Sequence, residues 1–189
     1  MDSISFINCF SNPQIEMAAK EIYEYSFPAD EKWDWKYLRD AAHNAYPDGC
    51  LEFNAIVSDQ LGVIGICTTV SNGSITYLFY LAVRKDLRDH GYGGRILDIF
   101  KSRFGGTRCF LEAESLKVPS EDRPMRERRF GFYARNGLLP TDLSINEYGV
   151  DYDILSLDGQ KIDFDEYLSM MQLCFRGIPV ETWIFKADL

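Results

Sequence analysis

Residues 50–104 constrain the fold of this chain more than any other part of it. Three apolar, strand-like runs, "CLEFNAIVSD", "LGVIGICTTV" and "SITYLFYLAV", succeed one another across short turns. One turn contains Asn72-Gly73, a strong hairpin signal. The stretch "LAVRKDLRDHGYGGRIL" (81–97) then leads into a segment where Ile96, Leu97, Phe100 and Phe104 recur at helical spacing. Gly105-Gly106 stops that helix. Gly91, Gly93 and Gly94 crowd the junction. Glycine loses more conformational freedom on folding than any other residue, so such clustering implies a close approach to the main chain. A helix start exposes unpaired N–H groups and the positive end of the helix dipole, which suits an anion. A tight strand-to-helix turn without ligand is the plainer alternative. Neither G-x-G-x-x-G nor G-x-x-x-x-G-K-[ST] fits, because Ile96 stands where a third glycine is needed and no P-loop occurs.

The flanking sequence has the same mixed character. "SISFINCF" (3–10) reads as a first strand. Ser11 or Asn12 caps a helix with Pro13 in its first turn, and Pro28 ends it. A second helix is expected over 31–43. After the glycine junction follow a strand "TRCFLEAES", a helix "MRERRFGFYARNG", a strand "EYGVDYDILSL", a helix over 163–175 and a strand "ETWIFKA". The order β-α-α-β-β-β-α-β-α-β-α-β implies an α/β fold with a mixed sheet, and no linker divides residues 1–189. The 163–175 helix carries an apolar stripe of Phe164, Leu168, Met171 and Phe175, suited either to covering the sheet or to a homodimer interface.

Charge and cysteine usage narrow the function classes. The net charge of −9 argues against nucleic acid as a partner. Residues 84–135, however, hold 13 of the 20 Lys and Arg against 8 acidic residues, a basic island in an acidic chain. That distribution suits a locally bound anion. Five scattered cysteines without a CxxC pair, and only His43 and His90, disfavour a disulfide framework or a metal site. No run is long and apolar enough to cross a membrane and the N-terminus lacks signal-peptide character, so a cytoplasmic location is expected.

"YLFYLAVRKDLRDHGYGGRIL" presents an apolar strand followed by Arg88-x-x-Gly91-x-Gly93, and "RRFGFYARNGLLP" presents Phe132, Tyr133 and Gly137 about forty residues later. In these two motifs the chain resembles the GNAT N-acetyltransferase superfamily. "SFPADEKWDW" is similar to an element of some members, with Lys32 in place of their arginine. The resemblance implies a single-domain GNAT-like fold, a mostly antiparallel central sheet flanked by helices, and acetyl-CoA as co-substrate without a metal. It further implies that Leu81, Ala82 and Val83 pair with the pantetheine arm. Arg88, Asp89, His90, Gly91, Tyr92, Gly93 and Gly94 would hold the pyrophosphate. Arg126 stands where relatives often carry an asparagine that contacts the arm, and an arginine there would reach a CoA phosphate instead.

Acetyl transfer to an amine requires a deprotonated amine, a stabilised oxyanion and a protonated leaving thiolate. The resemblance assigns the oxyanion to a main-chain N–H near Val83 and the leaving group to Tyr133, whose pKa of ~10 keeps it protonated at neutral pH. The strand before the loop carries neither Glu nor His. Glu112 and Glu114, two apart on the next strand, share one face. They offer a base, a cation-binding site for the acceptor, or an exposed polar face. Phe27, Trp33 and Trp35, with Asp30 and Glu31, line an acceptor pocket or belong to the core. The expected function is transfer of acetyl to a primary amine of a small molecule or peptide, with a lean towards a cationic one. A transferase of longer acyl-CoA and a non-catalytic CoA-binding domain are the alternatives.

Overall fold

The computed structural model describes residues 2–29, 31–43, 51–175 and 179–189, so Cys50 and Asp30 lie outside the described residues. The chain divides into two compact units, Met1–Val70 with Leu78–Arg103, and Ser71–Tyr77 with Phe104–Leu189. Together they make an α/β fold with a mixed, mostly antiparallel sheet flanked by helices.

The first unit holds β1 (Ile4–Asn8), α1 (Pro13–Ser26), α2 (Trp35–His43), β2 (Leu51–Ser58), β3 (Gly62–Ser71), most of β4 (Ile75–Val83) and α3 (Tyr92–Phe104). Its strands lie in the order β1-β2-β3-β4. The Asn12 side chain accepts the Ile15 amide at 2.9 Å, so α1 starts where its cap predicts. The second helix starts later than expected because Asp34 accepts the amides of Lys36 and Tyr37, which fixes Trp35 as the first helical residue. One core cluster joins Ala19, Ile22, Tyr23, Trp35, Phe53 and Ile66. Full burial of such side chains contributes roughly 1.5–3 kcal/mol each. Gly65 on β3 is bare for a specific reason: a Cβ there would lie 2.4 Å from the Ala82 carbonyl oxygen of β4.

The second unit starts with Ile75–Tyr77 of β4 and continues through β5 (Arg108–Glu114), α4 (Arg123–Arg135), β6 (Leu138–Glu147), β7 (Val150–Leu157), α5 (Phe164–Cys174) and β8 (Ile184–Lys186). The strand order is β4-β5-β7-β6-β8. Ile75–Tyr77 pair in parallel with Arg108–Phe110, and the other pairings in this unit are antiparallel. One strand more is present than the sequence suggests. "EYGVDYDILSL" is not one strand: Tyr148 and Gly149, at φ 49° and 85°, form a two-residue turn between β6 and β7. Positive φ at both central residues matches the twist of a hairpin. Pro140 hides β6, since a proline within an alternating run argues against a strand. It sits beside the register shift between Pro140 and Ser144.

A capping box between Asp163 and Glu166 starts α5. Its buried face is Tyr167, Met170, Met171 and Cys174, with Phe175 also buried at the cap; of the expected stripe Met171 and Phe175 are buried and Phe164 and Leu168 half-buried. Tyr167 packs on Phe110 of β5 at 5.9 Å. The stripe therefore covers this unit's own strands. Among the described residues, no helix is long and apolar enough to cross a membrane.

Candidate active site

In the first unit the chain leaves β4 through a 3₁₀ turn, Lys85–Leu87. Arg88 folds back on its own unit: its Nε donates to the Val83 carbonyl at 3.1 Å and Nη2 to Ser26 Oγ at 3.2 Å. The guanidinium also stands 5.9 Å from the Tyr25 ring centre. Asp89 and Gly91 both adopt left-handed backbone, at φ 68° and 80°. No atom crowds a Cβ at Gly91, so it is the backbone angle that demands glycine there. His90 Nδ1 lies 2.7 Å from the Arg88 carbonyl and holds the loop's crest. The Arg95 amide donates to the Gly91 carbonyl, which makes Tyr92, Gly93 and Gly94 the first turn of α3. Their amides have no acceptor within the helix. Leu81–Val83 end β4 just upstream, and Arg84 is spent on the carbonyls of Leu61 and Val63 and on Asp86.

The expected acceptor aromatics are mostly structural. Trp35 is core. Tyr23 Oη accepts the Trp33 amide at 2.8 Å and donates to the Trp33 carbonyl at 3.0 Å, while Tyr80 Oη donates to the Glu31 carbonyl at 2.7 Å. These bonds fasten the α1–α2 connection.

In the second unit, Glu112 and Glu114 share a face of β5, as alternation requires, but meet different partners. Glu114 receives Arg126 Nη2 on one oxygen and Arg129 Nη1 on the other, each at 2.9 Å. Arg126 also donates to Asp122 at 2.8 Å and to the Ser115 carbonyl. Its guanidinium is thus bonded on all three nitrogens within its own unit, and with Arg129 it fastens α4 to the end of β5. Tyr133 follows Arg129 by one turn of α4. Burial pushes the Tyr133 phenol above its ordinary value, and Arg129 pulls it back only in part. It is therefore a proton donor throughout the neutral range.

Among the described residues, Glu112 is paired with no cation. It accepts Tyr167 Oη at 2.9 Å, and the Tyr77 hydroxyl and the Glu147 carboxyl lie against it. Burial raises its pKa against the pull of those contacts. Tyr77, Glu147 and Tyr167 did not emerge from the sequence, since they come from β4, β6 and α5 and share no spacing. The one signal was the pair of glutamates, Glu112 and Glu114, on one face of the strand.

Comparison with known proteins adds the fold. No family model matches the chain, and no curated protein matches it. Solved structures do. A Bacteroides thetaiotaomicron protein assigned to the GNAT family of acetyltransferases is 21% identical, with a TM-score of 0.72 over 94% of this chain and 98% of its own. An aminoglycoside 6′-N-acetyltransferase in complex with coenzyme A is 15% identical, with a TM-score of 0.61 over 85% and 99%. Arabidopsis thaliana Naa50, in complex with a bisubstrate analogue of CoA and a peptide, is 18% identical, with a TM-score of 0.55 over 85% and 99%. The chain has the fold of the GNAT acetyltransferases.

Proposed function

We propose that this chain, as one catalytic domain over residues 1–189, transfers acetyl from acetyl-CoA to a primary amine by direct attack in a ternary complex. One observation carries the reading. In a chain with this fold, the sequence Arg88-x-x-Gly91-x-Gly93 forms a left-handed crest that opens α3 directly after β4. The amides of Tyr92, Gly93 and Gly94 receive the CoA pyrophosphate there, and the basic island around them supplies the counter-charge. Leu81–Val83 offer main-chain groups to the pantetheine arm, and the Val83 amide faces the oxyanion.

Glu112 takes the proton from the acceptor's ammonium, directly or through one water. Tyr133 gives its proton to the departing thiolate. Glu114, closed by two guanidinium groups, orients α4 and so Tyr133, and Arg126 serves that purpose rather than a CoA phosphate. The acceptor is a small-molecule amine or a peptide end, the two kinds named in the relatives above. The acidic balance outside residues 84–135 favours a cationic one, and the setting is cytoplasmic.

Thermal melting with acetyl-CoA, CoA and ATP tests the cofactor. A ligand at a hundredfold excess over its Kd stabilises by about 2.7 kcal/mol, or roughly 5–10 °C in a chain of this size. The CoA species are expected to give that shift and ATP none. Gly91→Val, which strains the φ of 80°, is expected to lose the ligand-induced increment. No shift with any CoA thioester overturns the reading.

A further inference from the structure

Three side chains from three other elements converge on the Glu112 carboxyl of β5 in the second unit: Tyr77 from β4, Glu147 from β6 and Tyr167 from α5. The two phenols are placed by their rings. Tyr77 stacks on Phe110 at 4.8 Å and 9°, and Tyr167 is fully buried against the same Phe110 and against Phe164. Neither ring has room to swing its hydroxyl away. Burial, reinforced by the charge of Glu112, drives both phenols well above their ordinary pKa, so both stay donors.

The Glu147 carboxyl lies against that of Glu112. Two like charges in contact do not both ionise readily, and the protons belong to the pair. Among the described residues, the remaining groups near the cluster do not offset this. Tyr152 of β7 faces Tyr167, and Glu114, the next residue on this face of β5, is closed off by Arg126 and Arg129 of α4.

We propose that Tyr167 and Glu147 are positioning residues for Glu112, Tyr167 fixing the Oε1 that it donates to and Glu147 sharing the single resting proton of the pair. The proposal rests on the reading of Glu112 as the base. At rest the pair holds one proton and one negative charge. The acceptor's ammonium gives a proton to the pair, which then holds two protons and no charge, and the amine nitrogen keeps the electron pair with which it attacks. The extra proton returns to solvent before the next cycle. The α5 helix, by this account, does more than cover the sheet: it supplies the hydroxyl that holds the base.

The test follows the Glu112 carboxyl itself, by NMR of protein with isotope-labelled glutamate carboxyl carbons, with Glu112→Gln identifying the signal by its loss. Tyr167→Phe keeps the ring and removes the donor. Because that donor favours the charged form, the Glu112 midpoint is expected to rise by roughly one pH unit. Glu147→Gln replaces the shared acid with an amide that donates to Glu112, so the pair's upper step disappears and Glu112 titrates alone at lower pH. Shifts of opposite sign in two variants of one cluster would not arise from loosened packing. An unmoved midpoint in both overturns the proposal, and Glu147→Gln decides alone should Tyr167→Phe fail to fold. Turnover of Glu112→Gln with acetyl-CoA and spermidine, glucosamine or a short peptide separates the two readings. Moved titrations with undiminished turnover leave the proton-sharing pair standing and remove Glu112 as base.

Discussion

Glu112 and Glu114 are the same residue type, two positions apart on the same face of the same strand, yet one meets two phenols and a carboxyl and the other two guanidinium groups. The strand supplied the same geometry to both. What differs is what lies over each: α5 and β4 each bring one hydroxyl to Glu112, and α4 brings fixed cations to Glu114. A carboxylate locked between two arginines is an anchor, because giving up its charge would remove the acceptor that Arg126 and Arg129 share. A carboxylate held by neutral donors beside another carboxyl can gain or lose a proton at modest cost.

The largest effect that bears on this contrast is on turnover. Glu112→Gln is expected to lower the rate of acetyl transfer about 100-fold or more, while Glu114→Gln, at matched stability, lowers it far less. Equal losses in steady-state assays would erase the distinction between base and anchor. Stability should rank the two sites in the reverse order. Glu114→Ala leaves the guanidinium groups of Arg126 and Arg129 without their shared acceptor and is expected to cost about 2–3 kcal/mol, seen as a lower urea midpoint with unchanged slope. Glu112→Gln should cost less, since the amide still accepts from Tyr167.

Dependence on pH sharpens the comparison further. The folded-state pKa of Glu112 is raised, so its contribution is full below the unfolded value and is lost as pH rises through the folded one. Asp153 has the opposite sign. Burial pushes it up, but Ser144, Lys117 and Ser115 outweigh that and hold it below the ordinary value. Its contribution is present above the unfolded pKa and is lost as pH falls through the folded one. Urea melts across pH should therefore show Glu112→Gln gaining on the parent chain towards alkaline pH, and Asp153→Asn converging with it towards acid. The smallest effect belongs to Lys117→Met. Lys117 bonds Asp153 at 2.9 Å, but its side chain is 45% exposed, so a loss under about 1 kcal/mol is expected in the same melts.

Features written in a few neighbouring residues were legible in the sequence. The Asn12 cap, the stop at Pro28 and the hairpin at Asn72-Gly73 each depend on a local backbone preference, and each stands where the residues indicate; the glycines before α3 read as a close approach or a tight turn, and it is the positive φ of Gly91 that the structure adds. The strand β6 was not legible, because Pro140 breaks its pattern and Tyr148, a good strand former, occupies a turn at positive φ. At Glu112 alternation gave the face of the strand but not the neighbours. Residues 77, 112, 147 and 167 meet only after three strands and a helix have packed, and no spacing along the chain encodes that meeting.

The two-residue turn at Tyr148-Gly149 has a consequence for how the second unit comes together in time. Closing so short a loop restricts little chain, and hairpins of this kind form within microseconds. The β6–β7 ladder is thus a natural first event, with β5, β8 and the helices condensing onto it afterwards. Glu147 pairs with Val150 at the very foot of that ladder. A residue inserted into the turn would therefore slow closure of this ladder, and would also shift the Glu147 carboxyl beside it.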